Sequence, residues 1–239
     1  MSGIFGIVSS ENCTNDLFYG TDYHSHMGTE YGGMAVLGKR FYRAIHDISK
    51  SQFKSKFYEE YKEMNGNYGI GVISDRYAQP LLIGSKFGAF AIVYTGLIEN
   101  TNELAAELIK KGDTFGELSS GGINSVEVLA KLINQYETLV EGLEKLYDHI
   151  MGSASILLMK EDGIYAVRDR LGRTPLVIGE KNGNYVVATE TCSFLNLGYR
   201  VLKYLEPGEI VLLGKDGLKE QYSGGNKNQI CSFLWIYTG

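Results

Sequence analysis

Imidazole is the side chain that most often moves protons or binds metal near neutral pH, so the four histidines of this 239-residue chain are the first candidates for chemistry. His24, His26, His46 and His149 form neither a helical HxxxH nor an HExxH pair. His24 and His26 stand two apart and would share a face on a strand, but no third ligand follows at metal-site spacing, so a surface or turn role outweighs a metal site. Cys13, Cys192 and Cys231 are widely separated, odd in number and without a CxxC, which supports neither a disulfide framework nor a zinc knuckle. No GxxxxGK[ST] loop is present and no GxGxxG follows a strand, so nucleotide phosphates have no cradle in this sequence. Gly69-Ile70-Gly71 lies inside a strand pattern, where glycine marks close backbone approach rather than phosphate contact. Residue type alone nominates no catalytic constellation, no metal and no cofactor.

The elements that would position a site are clearer. Thirty glycines against three prolines, with 17 tyrosines and 10 phenylalanines, point to many short strands joined by tight turns rather than to a helical bundle. Apolar, β-branched runs predict strands over 4–9, 33–37, 68–74, 90–94, 153–159, 164–168, 176–178, 185–188 and 210–213. Between them, one helix opens at Asn100-Thr101-Asn102-Glu103 and runs through Leu104, Leu108 and Ile109. A longer helical region follows Asn124-Ser125, carries Val128, Leu129, Leu132 and Ile133, breaks near Gln135 and resumes through Leu139, Leu143, Leu146 and Ile150, which predicts a helical hairpin. Strands, then helices, then strands is an α+β order in which two sheets can stack with helices outside. No repeat, linker or internal boundary interrupts it, so residues 1–239 are expected to form a single domain, with the glycine strings at 119–122 and 223–225 as loops. A net charge of −5 argues against a nucleic-acid or anionic-membrane partner. With no run of 18 apolar residues and no basic region ahead of Ile4, neither a membrane span nor a signal peptide is expected, and the expected compartment is the cytoplasm.

A series of segments along the chain says more than any single residue type. Gly3-Ile4-Phe5-Gly6-Ile7-Val8, directly behind Met1-Ser2, resembles the opening of the class II glutamine amidotransferases, where that strand follows a catalytic amino-terminal cysteine. His26-Met27-Gly28-Thr29-Glu30-Tyr31-Gly32-Gly33 is similar to the family's His-Arg-Gly segment, and Gly69-Ile70-Gly71 followed by Ala78-Gln79-Pro80 to its glutamine-loop region. Gly96, Asn100 and Glu103-Leu104 resemble its oxyanion segment and the helix after it. Tyr165-Ala166-Val167-Arg168-Asp169, Gly172, Pro175-Leu176, Ala188-Thr189-Glu190-Thr191-Cys192 and Glu206-Pro207-Gly208-Glu209-Ile210-Val211 are most like glutaminase domains of the amidophosphoribosyltransferase type. The resemblance covers residues 2–237.

The resemblance implies the four-layer αββα sandwich of the amino-terminal-nucleophile hydrolases, two mainly antiparallel sheets between helical layers, with the 3–8 strand central and Ser2 at its edge near Thr95 and Gly96. It also implies a chemistry: a terminal cysteine attacks the glutamine amide with its own α-amine as proton acceptor, an asparagine and a glycine N–H hold the oxyanion, and an arginine and an aspartate hold the amino-acid substrate. Carried over, the nucleophile position holds Ser2 and the oxyanion pair holds Thr95 and Gly96. The substrate arginine falls on Ser74, or on Arg76 after a two-residue slip; the aspartate falls on Ser125, and the arginine of His-Arg-Gly falls on Met27. The loop expected to close over glutamine is almost absent between Arg76 and Ala78. Each charge-assisted contact is worth roughly 1.5–3 kcal/mol, so losing the arginine and aspartate removes several orders of magnitude in glutamine binding. The expected role is therefore a glutamine amidotransferase domain whose glutaminase activity is lost or severely weakened, acting with a phosphoribosyltransferase domain or subunit. Two other readings stand beside it: an amidohydrolase that uses Ser2 on another amide, and a small-ligand or regulatory module with a neutral, hydroxyl-rich pocket. Cys231 falls where some family members ligate an iron–sulfur cluster, but a lone cysteine cannot supply four thiolates, so a buried structural thiol is expected. Arg168-Asp169-Arg170 is expected to be scaffold. The apolar run 233–237, with Trp235, predicts a contact face for a partner domain or for a second copy of the chain in a homo-oligomer, and an excised domain or half of a two-subunit enzyme.

Overall fold

Gly3–Val8 is buried at all six positions, which a strand achieves only where both of its faces are covered. The computed structural model describes residues 2–119 and 121–229, together with Ser232 and Ile236. Cys231 and Trp235, on which two expectations rest, lie outside the described residues. The elements in chain order are β1 (Gly3–Val8), α1 (Thr14–Asp22), β2 (Tyr31–Leu37), β3 (Phe41–Asp47), α2 (Phe53–Phe57), α3 (Glu60–Glu63), β4 (Tyr68–Ser74), β5 (Leu81–Ser85) and β6 (Gly88–Ile98). They continue with α4 (Thr101–Lys110), β7 (Leu118–Ser119), β8 (Gly122–Ile123), α5 (Ser125–Ile133), α6 (Leu139–Lys145), β9 (Gly152–Lys160), β10 (Gly163–Val167) and β11 (Val177–Lys181). The last are β12 (Asn184–Ala188), α7 (Cys192–Leu197), β13 (Arg200–Tyr204), β14 (Ile210–Gly214) and β15 (Gly217–Tyr222).

The strands form a seven-stranded sheet in the order β13-β11-β12-β1-β4-β2-β3 and a six-stranded sheet in the order β15-β14-β10-β9-β6-β5. Neighbouring strands in both are antiparallel. Three apolar layers hold four structural layers together. Ile4, Val8, Ile70, Val72, Val93, Leu157 and Val187 fill the space between the sheets. Phe5, Ile7, Leu17, Phe18, Phe53, Phe57 and Phe194 join the seven-stranded sheet to α1, α2 and α7. Ile92, Tyr94, Ile156, Val126, Leu129, Ile133 and Leu143 join the six-stranded sheet to the α5–α6 hairpin. This is the expected α+β sandwich, with β1 central in its sheet. Gly71 shows why glycine recurs in the central strands: a Cβ there would stand 2.0 Å from Thr21 Oγ1 of α1, so helix and sheet close directly on backbone.

Four strands of the two large sheets have no counterpart in the sequence reading: β3, β5, β13 and β15. They are the four edges of the two sheets. Edge strands are half wet and interleave charge with apolar residues, as in Arg200–Tyr204 and Gly217–Tyr222, so they lack the continuous apolar signature of the central strands. Helix α1 was also illegible, because Gly20 sits inside it; a Cβ at that position would meet the Phe5 ring at 2.4 Å. The 119–122 string, expected as a loop, has its end residues Ser119 and Gly122 paired in the short β7–β8 ladder. His24 is a turn residue as expected but is fully buried, not at the surface, and neither it nor His26 lies on a strand.

Candidate functional site

Strand alternation decides which side chains meet at the amino-terminal end of β1. Ile4 and Val8 face the second sheet while Phe5 and Ile7 face α1, so Ser2 points between the sheets. Val72 faces the same way on β4, which carries Ser74 inward; Ser2 Oγ donates to Ser74 Oγ at 3.4 Å. From the second sheet, Ala91 and Val93 of β6 and Leu157 and Met159 of β9 face inward, and so therefore do Thr95, Ser153 and Ser155. Thr95 Oγ1 donates to the Ser2 carbonyl oxygen. At this end the apolar filling gives way to hydroxyls.

Each hydroxyl is committed or enclosed. Ser74 Oγ also accepts the backbone N–H groups of Arg76 at 3.3 Å and Tyr77 at 3.2 Å, so it caps the turn that leaves β4. Ser155 Oγ donates to the Thr174 carbonyl oxygen at 3.0 Å and accepts from the Asp169 N–H at 2.9 Å. Ser153 Oγ is buried with no hydrogen-bond partner. Gly96 follows Thr95 with φ +133°, and a Cβ there would stand 2.1 Å from the Ser153 carbonyl oxygen, so only glycine fits. Ser74, Thr95 and Ser125 are 1%, 2% and 0% exposed.

Ser2, Ser74, Thr95 and Gly96 are thus brought together, while the other nominated residues stand one layer away. Met27 lies behind β1, its sulfur 3.0 Å from where a Cβ on Gly3 would stand, and accepts from Thr189 Oγ1 at 3.7 Å. Ser125 opens α5 on the outer face of β6, its Oγ 2.6 Å from Tyr94 OH, under the Asn124 cap that accepts from Val126 N–H. Burial pushes the Tyr94 phenol well above its ordinary range, against smaller opposing effects from the Ser125 hydrogen bond and the Arg76 charge. Arg76 itself follows Ser74 in the turn.

One positioning residue was not singled out from the sequence. Gln79 is buried, and its side-chain amide donates to the Tyr94 carbonyl at 3.1 Å and accepts the Tyr94 N–H at 2.9 Å, holding the strand that presents Thr95 and Gly96. The Ala78-Gln79-Pro80 string was the available signal, but a glutamine beside proline gives no hint of a two-bond bridge to residue 94.

Next to this corner, Arg168 and Asp169 act as scaffold. Asp169 accepts from Arg173 N–H at 3.0 Å, Leu171 N–H at 3.2 Å and Ala154 N–H at 3.4 Å, while Arg168 donates to the carbonyls of Leu205 and Gly172. Among the described residues no group of three or more His, Cys, Asp or Glu is placed to hold a metal ion, and no helix is long and apolar enough to cross a membrane.

Known proteins share this architecture and sequence. Residues 66–196, more than half of the chain, match the glutamine amidotransferase domain family. The amidophosphoribosyltransferase of Methanocaldococcus jannaschii is 32% identical over 232 residues, covering 91% of this chain and 48% of that protein. The Bacillus subtilis amidophosphoribosyltransferase is 30% identical over 251 residues, covering 98% and 51%. The solved glutamine phosphoribosylpyrophosphate amidotransferase of B. subtilis, complexed with ADP and GMP, superposes with a TM-score of 0.87 at 28% identity, over 98% of this chain and 52% of that one. The chain spans about half the length of the curated relatives it matches. A class-II glutamine aminotransferase domain protein from Silicibacter pomeroyi shares the fold at a TM-score of 0.56 and 13% identity. By its matched segment, its sheet order and its homology to the glutaminase half of those enzymes, this chain belongs to the glutamine amidotransferase domain family.

Proposed function

We propose that this chain is an amidophosphoribosyltransferase-type glutamine amidotransferase domain whose glutaminase step is lost or severely weakened, and that it works with a phosphoribosyltransferase domain or subunit. The observation that carries this reading is the state of the Ser2 corner. Thr95 has one hydroxyl proton, and it is given to the Ser2 carbonyl rather than aimed at the place where an oxyanion would form. Ser2 directs its own proton at Ser74, whose oxygen already accepts two backbone N–H groups. Ser74 and Ser125 are neutral and buried, so neither can replace the paired ionic contacts that hold a zwitterionic amino acid. A serine hydroxyl is also a weaker nucleophile at pH 7 than a cysteine that is a few per cent thiolate.

Nucleophile, oxyanion donors and substrate contacts act as a unit in catalysis, so restoring one leaves the barrier nearly unchanged. The test is glutamate release from glutamine by the purified chain, after amino-terminal sequencing has shown that the Ser2 amine is free. Release is expected at the rate of buffer alone, and Ser2→Cys is expected to leave it there. Steady glutamate release by either protein would overturn the proposal, and release from a different amide by the native chain would favour Ser2 as a working nucleophile instead. Coverage of half of each relative supports a partner of the remaining half's kind. Co-purification with a phosphoribosyltransferase chain, and ammonia-dependent transfer by the pair, would bear that out.

A further inference from the structure

Three of the four sheet edges carry features that turn away an incoming strand, and one does not. β3 holds Arg43 and Asp47, β13 holds Arg200 and Lys203, and β15 holds Lys219 and Glu220. The pairings of β13 and β15 also shift register, between Ile178 and Gly179 in one and between Ile210 and Val211 in the other. Charges and bulges of this kind protect an edge from pairing with other molecules. β5 departs from the pattern: it reads Leu81-Leu82-Ile83-Gly84-Ser85, with no charge, and pairs with β6 in unbroken register. Among the described residues no strand pairs with its other side.

The direction of its free groups follows from Gln79. That side chain takes the N–H and C=O of Tyr94, so Tyr94 turns its backbone groups toward the β5 side of β6, and by alternation Ile92, Phe90 and Gly88 do the same. Their partners are Leu81, Ile83 and Ser85, which leaves the backbone groups of Leu82 and Gly84 facing outward. Leu82 is 39% exposed, and a Cβ on Gly84 would meet nothing within 4 Å, so the edge is open. Beside it, Leu82, Ile83 and Gly84 form one wall of a groove of about 340 Å³ whose other wall is Ala130 and Lys131 of α5 and its cap Asn134. We propose that β5 pairs antiparallel with β5 of a second copy of this chain about a two-fold axis, joining two six-stranded sheets into one continuous sheet. Such a pairing sets a strand against itself, so it needs one with no charge to meet its own like, and of the four edges β5 alone qualifies. The two-fold axis keeps both helical layers on the same side, where the groove rim carries both signs: Lys131 lies 3.6 Å from Asp113 and 3.8 Å from Glu127, so the rim does not repel its own copy. The contact uses none of Ser2, Ser74, Thr95 or Gly96, so it stands or falls separately from the loss of glutaminase activity.

A ladder between two such short strands buries less than the roughly 800 Å² per partner of a standard interface, so association is expected in the micromolar range. The experiment is sedimentation velocity on the full chain from low-micromolar to near-millimolar concentration, with amide hydrogen exchange at both ends of the series. The mass is expected to rise from monomer to dimer, and exchange at Leu82 and Gly84 to slow with it, while exchange at Val201 on β13 stays the same. Gly84→Lys, at an open position, places like charges on the seam and is expected to weaken association by roughly tenfold or more. Leu82→Lys is expected to do the same, so one variant with the parent's circular dichroism spectrum suffices, and Val201→Lys is expected to leave the dimer unchanged. A monomer throughout, with exchange independent of concentration, would overturn the proposal and leave the edge to a strand from a different protein. A dimer that persists in folded Gly84→Lys or Leu82→Lys would overturn it by placing the contact elsewhere.

Discussion

The Asp169 turn and the Ser2 corner are joined by one side chain, Ser155, which accepts from the Asp169 backbone on one side and stands opposite Thr95 in the β6–β9 ladder on the other. They are built in opposite ways. Asp169 is a buried carboxylate that gathers three backbone N–H groups, and Arg168 beside it ties two carbonyls. In the corner, the Ser2 hydroxyl bonds that of Ser74 at 3.4 Å, Ser74 Oγ accepts two turn N–H groups at 3.2 and 3.3 Å, and Ser153 Oγ bonds nothing. Charge holds the frame at Asp169 and Arg168, whereas the side chains gathered around Ser2 are neutral hydroxyls. The difference teaches that the two neighbouring regions of one fold are held by different means.

That contrast can be broken by mutation. Asp169→Ala strands three N–H groups and is expected to cost about 3 kcal/mol in chemical denaturation, whereas a loss below about 1 kcal/mol would mean that the turn is not the anchor described here. Gln79→Ala frees both backbone groups of Tyr94 and is expected to cost about 2 kcal/mol, with hydrogen exchange at Tyr94 and Thr95 accelerated; unchanged exchange would remove Gln79 from its positioning role. His24 sharpens the comparison through pH. Its folded pKa is depressed from 6.5 to about 4, so the unfolded chain takes up the proton first, and the stability is complete above pH 6.5 and falls as the pH drops toward 4. At pH 4.5 the loss is expected to be roughly 2 kcal/mol and to vanish in His24→Gln; a variant with the same pH slope would refute this assignment. Ser74→Ala is expected to cost less than about 1 kcal/mol, since it removes only a turn cap, and Ser2→Ala less again. A corner substitution as costly as Asp169→Ala would erase the distinction between frame and corner.

The α+β order, the central strands and the α5–α6 hairpin were legible because their signals are local. Residues 3–8 and 68–73 are apolar throughout, as strands covered on both faces must be, and Leu129, Leu132 and Ile133 repeat at helical spacing. The four edge strands were not legible, because their mixed patterns make sense only once a neighbour exists on one side alone. The order of segments pointed to the family and to the seven positions of interest, and two of the hydroxyls named from it, Ser74 and Thr95, do gather with Gly96 around Ser2.

By itself the sequence determined the fold class and which residue types stand at the nominated positions, since both follow from order along the chain. Only the tertiary structure decided which face each residue takes. It put Met27 behind Gly3 and Ser125 behind Tyr94, assigned Gln79 to the backbone of residue 94, and buried His24 with its Nε2 unpartnered. The physical reason is distance along the chain. The Ile4 N–H finds Thr189, and the Thr95 hydroxyl finds the Ser2 carbonyl, across 185 and 93 positions. No local pattern encodes such partners; they exist only once two sheets have stacked and their alternating side chains have been forced to choose a layer.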